Sequence, residues 1–139
     1  MGSGKYEYLS QKALNFIFNG GTWTAPGTLY LALFTVAPTI STTGTEATGS
    51  AYARVSITSN TTNWPTISGS TTTMTSGAAF TFAAATGNWS SSSNQTDAGL
   101  WDALSSGNLY YWGDLTTAKP VLSGDTASFA SGAVTISEA

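Results

Sequence analysis

Apolar residues recur at helical spacing in one stretch only. Over Lys5–Phe18, the residues Tyr6, Leu9, Ala13, Phe16 and Ile17 fall on one face of a 3.6-residue period. Ser3 is placed to cap the start of this helix, and Asn19-Gly20-Gly21 stops it. Everything downstream carries β patterning. Thr28–Phe34, TLYLALF, is an apolar run of strand length, as expected for a strand covered on both faces. Ala37–Ser50 is a polar loop, after which Tyr52–Thr58 alternates. Further strands are predicted at Ala79–Ala84, Gly99–Ala103, Asn108–Leu115, Pro120–Leu122, Thr126–Phe129 and Ala133–Ser137. Leu104-Ser105-Ser106-Gly107 has the chemistry of a hairpin turn, and Ser123-Gly124-Asp125 that of a second tight turn.

Short strands with turn signals every ~8–12 residues predict an antiparallel β-sandwich, jelly-roll-like, with one short N-terminal helix. The chain has 139 residues and no internal repeat or linker, so it reads as a single domain, 1–139. The helix occupies about 5–18 and the sandwich about 22–139. The predicted core comprises Leu29, Leu31, Leu33, Val55, Ile57, Phe80, Phe82, Trp101, Tyr111, Phe129, Val134 and Ile136.

Composition narrows the chemistry. Charged residues are 8%, against roughly 25% in ordinary soluble domains, so hydroxyl groups rather than charges dominate the surface. Histidine and cysteine are both absent, which excludes zinc fingers, Ser-His-Asp triads, cysteine nucleophiles, haem and disulfide scaffolds. Four basic residues against seven acidic ones argue against a nucleic-acid partner. No apolar run reaches the ~20 residues of a membrane helix, and the N-terminal segment has no apolar core of a signal peptide.

No pair of carboxylates has marked catalytic spacing. Asp97, Asp102, Asp114 and Asp125 lie at or beside predicted turns, where aspartate ordinarily accepts local backbone N–H groups. No calcium-loop pattern is present, and no motif requires a metal or cofactor. Arg54 is the only arginine, expected to pair with a carboxylate or to cap carbonyls. Three N-x-S/T sequons, beginning at Asn60, Asn88 and Asn94, are what chance supplies in a chain so rich in Ser and Thr. Trp101 and Trp112 fall in predicted strands and are assigned to the core. Trp64 and Trp89 fall in polar loops, where they are either interface anchors or lids over the ends of the sandwich.

Four stretches carry a resemblance: Leu9–Thr39, Thr45–Thr58, Leu100–Phe129 and Gly132–Ser137. Within them stand TAPGTLYLALF (Thr24–Phe34), GSAYAR (Gly49–Arg54), DALSSGNL (Asp102–Leu109) and KPVLSGD (Lys119–Asp125). The chain resembles a family of small tailed-bacteriophage virion proteins, often labelled phage tail fibre protein, that includes mycobacteriophage tail-fibre-like members. The resemblance implies a virion structural protein without catalytic residues, assembled in the host bacterial cytoplasm.

A domain of this length spans only about 35 Å, too short to be a long fibre by itself. On size, the expectation is a capsid decoration or cement protein, partnered by the major capsid protein. The alternative is a tail-fibre or tail adaptor component that docks on tail or baseplate proteins. A carbohydrate-binding module using Trp64 or Trp89 is the competing class. Analogy with phage proteins favours a homo-trimer. The interface candidates are Trp64, Trp89, Phe16 and Ile17, together with the loops Thr39–Gly49, Ser59–Thr75 and Thr86–Thr96.

Overall fold

The computed structural model describes residues 3–138. Its centre is strand β2 (Thr28–Val36), whose alternating side chains supply two separate cores. Leu29, Leu31 and Leu33 face one side, while Tyr30, Ala32 and Phe34 face the other. This is why TLYLALF has no polar member in six of its seven positions.

On one side β2 pairs with β7 (Gln95–Trp101), which pairs with β8 (Leu109–Lys119). Strand β1 (Gly4–Lys5) closes that edge, opposite Trp112 and Tyr111. On its other side β2 is shared: β3 (Thr45–Glu46) lies beside Phe34–Val36, and β4 (Val55–Thr58) beside Thr28–Leu31. All pairings are antiparallel.

Two short ribbons form a second layer over the Leu31 side. One joins β5 (Thr73–Thr75) to β10 (Thr135–Ser137), and the other joins β6 (Phe80–Thr81) to β9 (Ser128–Phe129). They press Phe80, Phe82, Phe129, Val134 and Ile136 onto Leu31, Leu33, Ile57 and Leu100. The protein is therefore mainly β, antiparallel and sandwich-like, with one helix. Of the predicted core residues, all but Tyr111 belong to or pack against the two clusters.

The helix α1 (Glu7–Phe18) runs where it was expected, but two of its features differ. Ser3 does not cap it. Tyr6 occupies the N-cap without a side-chain bond, and the Glu7 N–H instead donates to the Ile40 carbonyl at 2.9 Å. The predicted apolar face is also only half used. Tyr6 joins the Phe34 cluster, Leu9 is buried and Tyr8 stacks on Tyr110, whereas Phe16 and Ile17 overshoot the sheet and stand in solvent.

Several strand limits also moved. Gln95–Trp101 begins upstream of the predicted Gly99, because Gln95–Ala98 mixes polar residues into a strand that is buried on both faces. Ala79–Ala84 contracts to two residues, and Pro120–Leu122 forms no strand, although Val121 is buried. Strands β1, β3 and β5 are too short for alternation to register.

Gly99 is required by close approach: an added Cβ would lie 2.9 Å from Phe34 and 3.0 Å from Leu109. The second core is small, so its largest member matters most. Phe34→Ala is expected to cost about 3–5 kcal/mol, read as a lowered midpoint in thermal denaturation with the β-type circular dichroism spectrum retained.

Candidate functional site

Three features concentrate the chemistry of the described residues. The first is built around Arg54, which is buried at the entry to β4. Its Nε and Nη2 donate to Glu46 Oε1 and Oε2 at 2.9 and 2.7 Å, a two-pronged ion pair. Its Nη1 donates to the carbonyls of Ala103 and Ser106 at 2.7 and 2.8 Å. The guanidinium lies 4.0 Å from the centre of the Trp101 ring.

Tyr52 extends the cluster by donating its hydroxyl to Glu46 Oε1 and accepting from the Leu33 N–H. Burial pushes the Tyr52 phenol well above its ordinary range, with the Glu46 carboxylate adding to the effect. Sequence reasoning expected Arg54 either to pair or to cap carbonyls, and it does both. All three guanidinium nitrogens are engaged internally, so this cluster organises the fold.

The hairpin that Arg54 grips is shaped by its own residues. Asp102 accepts the Asn108 N–H at 2.7 Å and the Asn108 side-chain amide at 2.9 Å. Gly107 adopts φ +79°, and a Cβ there would meet Asp102 and Ala103 within 2.6 Å. Asp125 likewise accepts the Leu122 N–H at 2.9 Å. These two aspartates play the turn role expected of them.

Asp97 and Asp114 do not. They face each other across β7 and β8 in mid-sheet, not in turns. Asp97 is 0% exposed, its Oδ1 accepts the Thr96 hydroxyl at 2.6 Å, and its Oδ2 has no partner. Burial raises the Asp97 pKa against the Thr96 bond, and the neighbouring Asp114 carboxyl raises it further. A carboxylate closed off in this way cannot reach a substrate, although the pair has the acid–base look of a catalytic dyad. Among the described residues, no group of three or more His, Cys, Asp or Glu side chains is placed to hold a metal ion. Likewise no helix there is long and apolar enough to cross a membrane.

The second feature is the position of the tryptophans. Trp89 is fully buried, with its N–H bonded to the Val121 carbonyl and its Nε1 donating to the Ser50 carbonyl at 3.0 Å. It packs edge-on against Tyr52 and Phe82. Trp64 is buried against Phe80. Both indoles thus act as lids within the subunit, and neither offers a face to a partner. Ser90, Ser91 and Ser92 follow Trp89 with positive φ, a strained left-handed turn that lets the chain reverse once the indole is inserted. Trp101 is in the core as predicted, while Trp112 is half-buried, lying over Gly4.

The third feature is the exposed end of α1. Leu14, Phe16, Ile17 and Phe18 are 56%, 56%, 66% and 76% exposed. Phe16 and Ile17 were candidates on the basis of helical spacing. Leu14 and Phe18 were missed because they lie off the predicted stripe, and the signal that could have found them is the lack of any charge between Lys12 and Glu46.

Residues 4–137 match the family model described as Podophage GP4 fiber I protein gp80. The match spans nearly the whole chain, and the protein belongs to this family of phage fibre-type virion structural proteins. No curated protein matches it.

Two predictions follow from the charged clusters. Arg54→Lys keeps the charge but loses the fork and at least one carbonyl, and should destabilise the fold by about 3 kcal/mol in denaturant titration. For Asp97, a folded pKa above the unfolded value near 3.9 means the group costs stability as pH rises through that window. Asp97→Asn should therefore be at least as stable as the native chain at pH 7, and its stability should fall less between pH 4 and neutrality in thermal melts at stepped pH.

Proposed function

We propose that the chain is a non-enzymatic component of the virion's tail fibre, or of the adaptor that joins a fibre to the tail. The observation that carries this reading is the family match over residues 4–137. Size alone favoured capsid decoration, but a domain about 35 Å across serves equally well as one globular unit of a composite fibre. The family assignment favours the fibre.

The internal chemistry agrees with a structural role. All three guanidinium nitrogens of Arg54 are bonded within the chain, Asp97 is buried away from any substrate, and the turn aspartates hold their own backbone. The carbohydrate-platform alternative relied on Trp64 and Trp89, and with both indoles buried it lacks a stacking surface at those positions. Partners on this reading are tail or baseplate proteins and further copies of the chain, the trimer being the arrangement that analogy with phage proteins implies.

Negative-stain microscopy of particles decorated with gold-labelled antibody against this chain tests the assignment. Label at the tail or its fibres is expected. A regular array of label over the head would replace it with capsid decoration.

A further inference from the structure

The chain has seven asparagines, and only Asn19 stands before a glycine, with a second glycine, Gly21, behind it. Four of the others work in the fold. Asn60 Oδ1 accepts the N–H groups of Thr62 and Asn63, and the Asn63 amide donates to the Thr58 carbonyl. Asn88 donates to Ser92 Oγ and accepts the Ser123 N–H, and Asn108 donates to Asp102. Each of these side chains is held in place, and each is followed by a residue whose own side chain screens the next peptide nitrogen.

Asn19 is different. It is the exposed C-cap of α1, with φ −102° and ψ 0°. Its own N–H and that of Gly21 both bond to the Asn15 carbonyl at 3.1 Å, and its side-chain amide donates to Asn15 Oδ1 at 2.9 Å. The Gly20 N–H lies between these two donors and, among the described residues, has no partner. Gly20 takes φ +65°, and a Cβ added there would meet nothing within 4 Å. The peptide nitrogen that follows Asn19 is therefore both unbonded and open to solvent.

We infer that Asn19–Gly20 is a self-modifying site, where the asparagine deamidates by attack of the neighbouring backbone. The Gly20 nitrogen gives up its proton to solvent base and attacks Asn19 Cγ. The N–Cγ bond forms, the Cγ–Nδ2 bond breaks, and the amide nitrogen leaves as ammonia, which closes a succinimide ring. Water then opens the ring. Attack at Cγ gives aspartate, and attack at the main-chain carbonyl gives isoaspartate, whose backbone runs through Cγ. One water is consumed and one ammonia released, with nothing oxidised or reduced. A ψ of 0° holds the Gly20 nitrogen away from Cγ, so that bond must turn before attack. Glycines at 20 and 21 allow the turn, and only the bonds to Asn15 have to be released. The product matters because of where it falls. A carboxylate appears in a stretch with no charge between Lys12 and Glu46, beside the exposed Phe16, Ile17 and Phe18. It also sits at the helix C-terminus, the end that disfavours negative charge, so the last turn loosens. The exposed apolar end of α1 thus carries a slow, one-way change of charge, wherever on the virion the chain resides.

The test incubates the purified full chain, folded, in warm and mildly alkaline buffer, and follows peptide masses after trypsin. Cleavage after Lys12 and Arg54 puts Asn15 and Asn19 in one peptide and the other five asparagines beyond it. That peptide should gain the mass of exchanging NH₂ for OH. Fragmentation should place the gain at Asn19 and show aspartate and isoaspartate together. The rate should rise with pH, since the attacking nitrogen must first lose its proton. Asn19→Gln should abolish the gain. Gly20→Ala keeps the asparagine but crowds the nitrogen, and should slow the gain severalfold. Both positions are exposed and lie beyond the last turn of α1, so the fold should survive either change. A parallel sample unfolded in urea sets the time over which free chain converts. An Asn19 peptide that stays unchanged over that time in the folded chain overturns the inference, because the cap then locks the residue. Aspartate without isoaspartate overturns it too, since that product comes from direct hydrolysis. So does a gain spread evenly over the asparagines beyond Arg54.

Discussion

The subunit depends on a single buried cation. Arg54 ties together three parts of the chain that are far apart in sequence: the Glu46 strand, the start of β4 and the hairpin of Ala103 and Ser106. Through Tyr52 the same cluster reaches the Leu33 N–H on the central strand. Taking a guanidinium out of water is costly, and good hydrogen-bond geometry with a paired charge offsets that cost. Here the fork meets a carboxylate and the remaining nitrogen meets two carbonyls. Nearly all of the motifs that carry the family resemblance converge on this point. Thr24–Phe34 contributes Leu33, Gly49–Arg54 contributes Tyr52 and Arg54, and Asp102–Leu109 contributes the hairpin. Their shared role in this cluster is architectural.

Much of the fold is legible in the sequence because alternation and turn chemistry are strong in this chain. TLYLALF reads as a doubly covered strand, and two cores meet on it. LSSG and SGD read as turns, and Gly107 and Gly124 take positive φ in them. The failures have physical reasons. Polar context left Trp64 and Trp89 open between interface anchors and lids; each indole sits in the core while its neighbours stay in solvent, a contrast that local composition cannot express. Asp97 and Asp114 seemed to be turn residues because nothing local reveals a register that sets two carboxylates opposite each other. The helix face was correct in period, but where the sheet beneath it ends is a tertiary fact.

The division between framework and contact surface differs from the one loops would suggest. Function commonly resides on loops held by a rigid scaffold. In this subunit the most exposed apolar side chains are on a helix, and the long polar loops fold inward through their tryptophans. Regular structure thus carries the largest exposed apolar side chains, and irregular structure helps to seal the core.

The two ends of the described chain meet at one corner. Lys5 on β1 pairs with Glu138 at 2.9 Å, and the Tyr111 hydroxyl donates to the same carboxylate. A pull applied through the segments before Lys5 and after Glu138 would peel this corner open and would not stretch the strands lengthwise. Ribbons unzipped from one end resist far less than strands sheared along their length. A particle that strains against its host therefore has reason to route tension through contacts between subunits and to spare the backbone of each one. For a fibre built from such units, mechanical strength would be a property of the joints.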